Sequence, residues 1–109
     1  VASAFTVKKG RNGKFYFNLK SANGEIILAS QGYKTRSGCL QGIASVRSNG
    51  ASRDRFVEKS SGSGKPYFLL RARNGRVIGQ SQMYKSGRSC RQGILAVRRA
   101  VKHARLVES

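Results

Sequence analysis

The hydrophobic pattern lengthens its period from two to about three and a half, and does so twice along the chain. Ala4 to Lys9 reads as a strand, Gly10-Arg11-Asn12-Gly13 as a turn, and Lys14 to Ser21 as a second strand with Phe15, Phe17 and Leu19 on one face. Asn23-Gly24 marks a tight hairpin into Glu25 to Gln31. A two-residue loop sets Ile27 opposite Lys20, whereas a three-residue Ala22-Asn23-Gly24 loop with a left-handed glycine sets it opposite Leu19. The longer loop gathers Phe17, Leu19, Ile27 and Ala29 on one face, so it is the expected one. The same reading assigns Phe68, Leu70 and Ile78 around Arg73-Asn74-Gly75 to the core.

Beyond Tyr33-Lys34 the period lengthens. Thr35 is expected to cap a helix by accepting a bond from a free backbone N-H two or three residues on, and Ser86 to do the same later. Cys39, Ile43 and Val46 then fall at i, i+4 and i+7, the stripe of a helix lying on the apolar sheet face. Gly42 and Gly93 each cost such a helix about 1 kcal/mol relative to Ala. Close packing explains them, either helix on sheet or one helix on the other. Asn49-Gly50 ends the first helix.

The pattern occurs twice. A shift of fifty-one aligns residues 5 to 47 with 56 to 98 without a gap, pairing Phe5, Lys8, Tyr16, Phe17, Leu19, Tyr33, Cys39, Gly42 and Ile43, among others, with identical residues. The chain is a tandem duplication, expected as one domain over 1–109 with repeats at about 4–54 and 55–109. Arg55-Phe56-Val57-Glu58-Lys59 is echoed by Arg105-Leu106-Val107-Glu108-Ser109. Each unit is therefore three strands, a helix and a returning strand, and the middle copy is expected to end one unit and begin the next.

Apolar residues make up 39% of the 109 and aromatics 8%, enough for one small core. The two cysteines sit at equivalent helix positions. Reduced, buried thiols in a cytoplasmic setting are expected, with a single bridge as the alternative. No His or carboxylate accompanies them, so no metal and no cofactor are expected. No apolar run approaches the ~18 residues of a membrane span, and the start Val1-Ala2-Ser3-Ala4-Phe5 has no secretory pattern.

These residues resemble the YegP-like family of bacterial tandem-repeat proteins of uncharacterised function. The resemblance rests on Lys65-Pro66-Tyr67-Phe68-Leu69-Leu70, the Asn-Gly hairpins, Ile78-Gly79-Gln80-Ser81-Gln82-Met83-Tyr84 and the Gln-Gly-Ile blocks at 41–43 and 92–94. It implies an α+β fold: two β(3)-α-β units forming a single antiparallel sheet, two helices on one face, and C-terminal strands exchanged between units. It implies no activity and no functional residues. The family is also less uniformly basic, which singles out charge as a feature of this chain.

That charge is +18, with twenty-two Lys and Arg against Glu25, Asp54, Glu58 and Glu108. Such an excess draws polyanions, nucleic acid above all. Eight of the basic residues precede position 51 and fourteen follow. On the second helix Arg88, Arg91, Arg98 and Lys102 form one stripe, with Arg99 beside it, expected to meet phosphates. The helix start Ser86-Gly87-Arg88-Ser89 offers a further phosphate contact. On the uncovered sheet face Tyr16, Lys20, Ile26, Leu28, Tyr67, Leu69, Arg71 and Val77 are expected, an aromatic and basic surface suited to unpaired bases. The same face is suited to a homodimer or a protein partner. Catalysis is not expected: His103 stands alone among basic residues, and the four acids make no pair. The expected function is non-catalytic nucleic-acid binding with weak sequence selectivity, the alternative a structural or protein-interaction module.

Overall fold

The computed structural model describes residues 3–108. The first repeat contributes β1 (Ala4–Lys9), β2 (Phe15–Lys20), β3 (Ile26–Ala29) and helix α1 (Arg36–Asn49). A 3-10 turn at Arg53–Arg55 leads to β4 (Phe56–Ser60), β5 (Pro66–Arg71), β6 (Val77–Gln80), helix α2 (Gly87–Ala100) and β7 (Arg105–Glu108). All seven strands form one sheet in the order β4-β5-β6-β3-β2-β1-β7. Its first six strands mirror one another about the β3–β6 seam, where a single pair, Ala29 with Gln80, joins the halves.

The expected α+β architecture forms, with a sheet that is antiparallel except at one edge, where β7 lies parallel to β1. The crossing is one-sided. β7 leaves the second repeat for the first, its turn tied down by the Arg105 N-H donating to the Ser3 carbonyl at 3.1 Å. β4, the expected returning strand of the first repeat, pairs only with β5. The 3-10 turn separates it from α1, so it opens the second unit without closing the first. Ser109, the last residue of the echoed pattern, lies outside the described residues.

Both caps form: Thr35 Oγ1 accepts from the Gly38 N-H at 2.9 Å and Ser86 Oγ from the Ser89 N-H at 3.1 Å. Each helix lies across the seam, α1 against β2 and β6, α2 against β5 and β3. The core between helices and sheet is therefore shared. Its aromatic skeleton is duplicated: Phe5 edges onto Phe17 and Phe56 onto Phe68, while Tyr33 stacks on Phe17 and Tyr84 on Phe68, both at 6.1 Å.

Gly42 and Gly93 answer to those tyrosines. A methyl group on Gly42 would lie 2.3 Å from the Tyr33 hydroxyl, and one on Gly93 2.1 Å from that of Tyr84. The close partner is thus a ring stacked beneath the helix. The opposite helix plays no part. Gly50 departs from a left-handed cap too, with φ −68°. A methyl there would lie 2.6 Å from the Val46 carbonyl oxygen and 2.9 Å from Val101 Cγ1, so both crowd the position.

The hairpin loop is the expected one, with Ser21 N-H bonded to the Glu25 carbonyl and Gly24 at φ +88°. One residue later a β-bulge intervenes: Lys20 pairs with Ile26, but Leu19 pairs with Leu28. Ile27 is the extra residue, and both it and Leu28 enter the core. Leu28, expected on the open face, is fully buried beside Leu19, and Ala29, expected in the core, shares the open face with Asn18. Ser30 ends β3 by accepting the Phe17 N-H on its hydroxyl at 2.9 Å, as Ser81 does for Phe68.

Candidate nucleic-acid interface

The nine residues singled out for phosphate or base contact lie on opposite sides of the sheet. Arg88, Arg91, Arg98 and Arg99 belong to α2 on the covered side, and Lys102 lies in the turn beyond it. Tyr16 and Lys20 on β2, with Tyr67 and Arg71 on β5, project from the uncovered side, since their neighbours Phe17, Leu19, Phe68 and Leu70 all point inward.

The helix stripe is divided by its own contacts. Arg98 Nε donates to the Ala51 carbonyl at 3.4 Å, and Arg91 Nη1 lies 3.9 Å from Glu58 Oε1. Glu58 also binds Arg53 Nη2 at 3.0 Å, and Arg53 Nη1 reaches the Phe56 carbonyl at 3.3 Å. Two members of the stripe therefore fasten α2 to the segment entering β4. Arg88, Arg99 and Lys102 are exposed, and so is Arg91, by 61% of its side chain. The helix start is closed in on itself, Ser86 and Ser89 joining hydroxyls at 3.0 Å.

The uncovered face is better organised. Register sets Lys8 opposite Tyr16 and Lys59 opposite Tyr67. Each repeat thus presents a cross-strand Lys-Tyr pair, with Lys20 or Arg71 two same-face positions further along the strand, beyond Asn18 or Leu69. The two lysines were passed over in the sequence; their signal was the identity of Lys8 and Lys59 across the fifty-one-residue shift together with the strand parity. Arg71 Nε is buried without a hydrogen-bond partner among the described residues.

Glu58, Asp54 and Glu25 lie elsewhere. Glu58 aligns with Phe68 on the helix side, Asp54 sits in the 3-10 turn, and Glu25 is close enough to Tyr84, which stacks on Phe68, to act on its phenol. Burial is the main cause pushing the Tyr84 phenol above its ordinary value. A hydrogen bond to Gln82 opposes it, and Cys90 and Glu25 add to the rise. Burial likewise raises the Tyr33 phenol and the Cys39 and Cys90 thiols. Both cysteines are free and fully buried, so they pack as apolar groups.

Two shallow depressions mark the uncovered face. One of ≈ 510 Å³ lies over the β1–β2 hairpin between Lys8, Lys9, Arg11, Tyr16 and Asn18. The other, ≈ 250 Å³, follows the weakly paired β3–β6 seam past Ala29 and Gln80. They meet at Ala29 and Ser30. Among the described residues no helix is long and apolar enough to cross a membrane.

Comparison with known proteins places this arrangement. The sequence pattern described as "Domain of unknown function (DUF1508)" matches residues 11–56 and again 61–108. The chain belongs to the YegP-like UPF0339 family. Among similar UPF0339 proteins, one of Pseudomonas aeruginosa is 45% identical over 106 residues, covering 97% of this chain and 96% of its own. YegP of Escherichia coli K12 is 42% identical over 98 residues, covering 90% and 89%. The solution structure of E. coli YegP, titled a protein of unknown function, superposes with TM-score 0.93 at 38% identity over 100% of this chain and 94% of that one. A UPF0339 protein of Shewanella oneidensis gives 0.91 at 36% identity, covering 99% and 92%. The duplicated sheet and its two helices are thus a UPF0339 property.

Proposed function

We propose that this UPF0339 protein is a non-catalytic module that binds single-stranded nucleic acid on the uncovered face of its sheet. One observation carries the reading: that face holds two repeat-related sets, Lys8-Tyr16-Lys20 and Lys59-Tyr67-Arg71, and Glu58 aligns with Phe68 on the other side. Lysine and arginine bind backbone phosphates regardless of sequence, and half-buried tyrosines offer faces for bases to stack on. The net charge of +18 supplies long-range attraction. Free, buried thiols fit a reducing, cytoplasmic setting.

The test is the salt dependence of oligothymidylate binding. Replacing Lys8, Lys20, Lys59 and Arg71 by Gln should lower the log–log salt slope by roughly 3, at about 0.7 per phosphate contact for a single strand. Replacing Arg88, Arg99 and Lys102 by Gln should leave most of it. The reverse result transfers the interface to α2 and sinks the reading.

A second reading draws on the apolar residues of the same face. Ile26 is 43% exposed, and Val57, Leu69 and Val77 are half-buried, a surface that also suits a second protein. Salt-resistant association without nucleic acid, seen by sedimentation, favours that reading over the first.

A further inference from the structure

The two repeats part company at one place on the uncovered face. The loop of the first hairpin is Lys9-Gly10-Arg11-Asn12-Gly13, and its counterpart in the second is Ser60-Ser61-Gly62-Ser63-Gly64. Only the first is basic. The difference extends to the ring beside it. Asn12 Nδ2 donates to the Tyr16 hydroxyl at 3.0 Å while Asn12 Oδ1 accepts the Lys14 N-H at 3.0 Å, so one amide fixes both the turn and the phenol.

Glycines complete the clamp. A methyl group at Gly10 would stand 2.9 Å from Tyr16 Cε1, and one at Gly32 3.0 Å from its hydroxyl oxygen. At the equivalent positions around Tyr67 stand Ser61, Ser63 and Met83. Tyr16 is held in place by small neighbours and an amide, and Tyr67 lacks those neighbours.

The ring borders the ≈ 510 Å³ depression that Lys8, Lys9, Arg11 and Asn18 also line. Lys8 and Arg11 bring two cations to one small hollow, while the Lys9 ammonium lies over the Phe15 ring, 5.8 Å from its centre. The Tyr16 hydroxyl accepts from Asn12, which leaves its hydrogen to donate, and the Asn18 amide adds further donors. The Ser30 hydroxyl is already committed, accepting from Phe17 and donating to Gln31.

We propose that this hollow holds a terminal phosphate monoester of a single strand, with the adjoining base against Tyr16. The inference rests on the uncovered face being the nucleic-acid surface. Its own content is the end preference. An internal phosphodiester carries one charge and two free oxygens, whereas a terminal monoester carries nearly two charges at neutral pH and three free oxygens. Converging cations and donors discriminate in favour of the second. Leu69 and Gly62, standing where the first repeat has Asn18 and Arg11, deny the second repeat an equivalent hollow.

Anisotropy titrations of octathymidylate bearing a 5′-phosphate, a 3′-phosphate or neither test this at one salt concentration. One phosphorylated form should bind at least ~5-fold more tightly than the unphosphorylated strand, and which one identifies the end. The variant K8Q/R11Q should abolish that ratio, while K59Q/R71Q should weaken all three strands and preserve it. Circular dichroism on each variant checks the fold. Equal affinity for all three strands overturns the terminal site and leaves the uncovered-face reading standing. Absence of any salt-sensitive binding overturns both.

Discussion

Leu28 packs on Gly79, its own counterpart in the other repeat: a methyl group at Gly79 would lie 2.7 Å from Leu28 Cδ2. Residues related by the duplication meet only where its two-fold axis passes, and two leucines cannot occupy that point together. Gly50 and Val101 make a second such pair. Large against small solves the axis in both places. Gly79→Leu alone should therefore overpack the seam and Leu28→Gly alone should leave a cavity, at a cost of several kcal/mol each. The double exchange L28G/G79L should recover much of the loss, giving a coupling of at least ~1 kcal/mol in urea unfolding. Simple additivity of the two losses counts against axis packing.

Gly42 offers a test of opposite sign to its propensity. In an exposed helix Gly→Ala gains about 1 kcal/mol. Here the new methyl would lie 2.3 Å from the Tyr33 hydroxyl and 3.0 Å from Phe17 Cε2. Gly42→Ala is expected to lower stability by ~1–3 kcal/mol, with a fall in Tm of several degrees. Gly93→Ala should behave alike through Tyr84, and a rise in Tm for either would refute the stacking account.

The duplication, the strands and both helix caps were legible because each rests on local chemistry: an Asn-Gly turn, a hydroxyl before a helix, a change of period. What local pattern cannot show is an extra residue. The bulge at Ile27 leaves the loop as expected, yet it inverts everything after it, which is why Leu28 and Ala29 exchange faces. The partners of the α2 stripe lie beyond local pattern for a related reason. Helical spacing correctly aligned Arg91 and Arg98, but their partners, Glu58 and the Ala51 carbonyl, are thirty-three and forty-seven residues distant in the chain. On the uncovered face Tyr16, Lys20, Tyr67 and Arg71 were visible, and Lys8 and Lys59 emerged only with the register of β1 and β4.

Alkaline pH should destabilise the protein through groups that are buried protonated. The Cys39 and Cys90 thiols and the Tyr33 and Tyr84 phenols are all raised, chiefly by burial. The folded state then holds protons that the unfolded state releases, so stability falls as pH rises above the ordinary thiol value of 9.0. The phenols follow above 10.0. Urea midpoints from pH 7 to 10.5 should be flat at first and then decline. C39A/C90A, compared with its own value at pH 7, should delay the onset of the decline; an unchanged onset would show that the thiols do not drive it.

The difference between Leu40 and Arg91 concerns strand edges. Leu40 packs against the core, and Val7 is buried on β1, which β7 has joined. The equivalents of Val7 and Leu40 are Glu58 and Arg91, which face each other at the edge of β4. Arg53 binds Glu58 and occupies the Phe56 carbonyl. Charges and an occupied acceptor protect an edge from strand addition, so the triad guards the outer edge of β4, whose inner edge pairs with β5. The variant R53A/E58V/R91L gives β4 the apolar character of β1. It should retain its circular dichroism and sediment as a larger species than the parent as concentration rises, through strands of neighbouring copies joining β4. Identical sedimentation of variant and parent up to high concentration would show that the triad does not guard the edge.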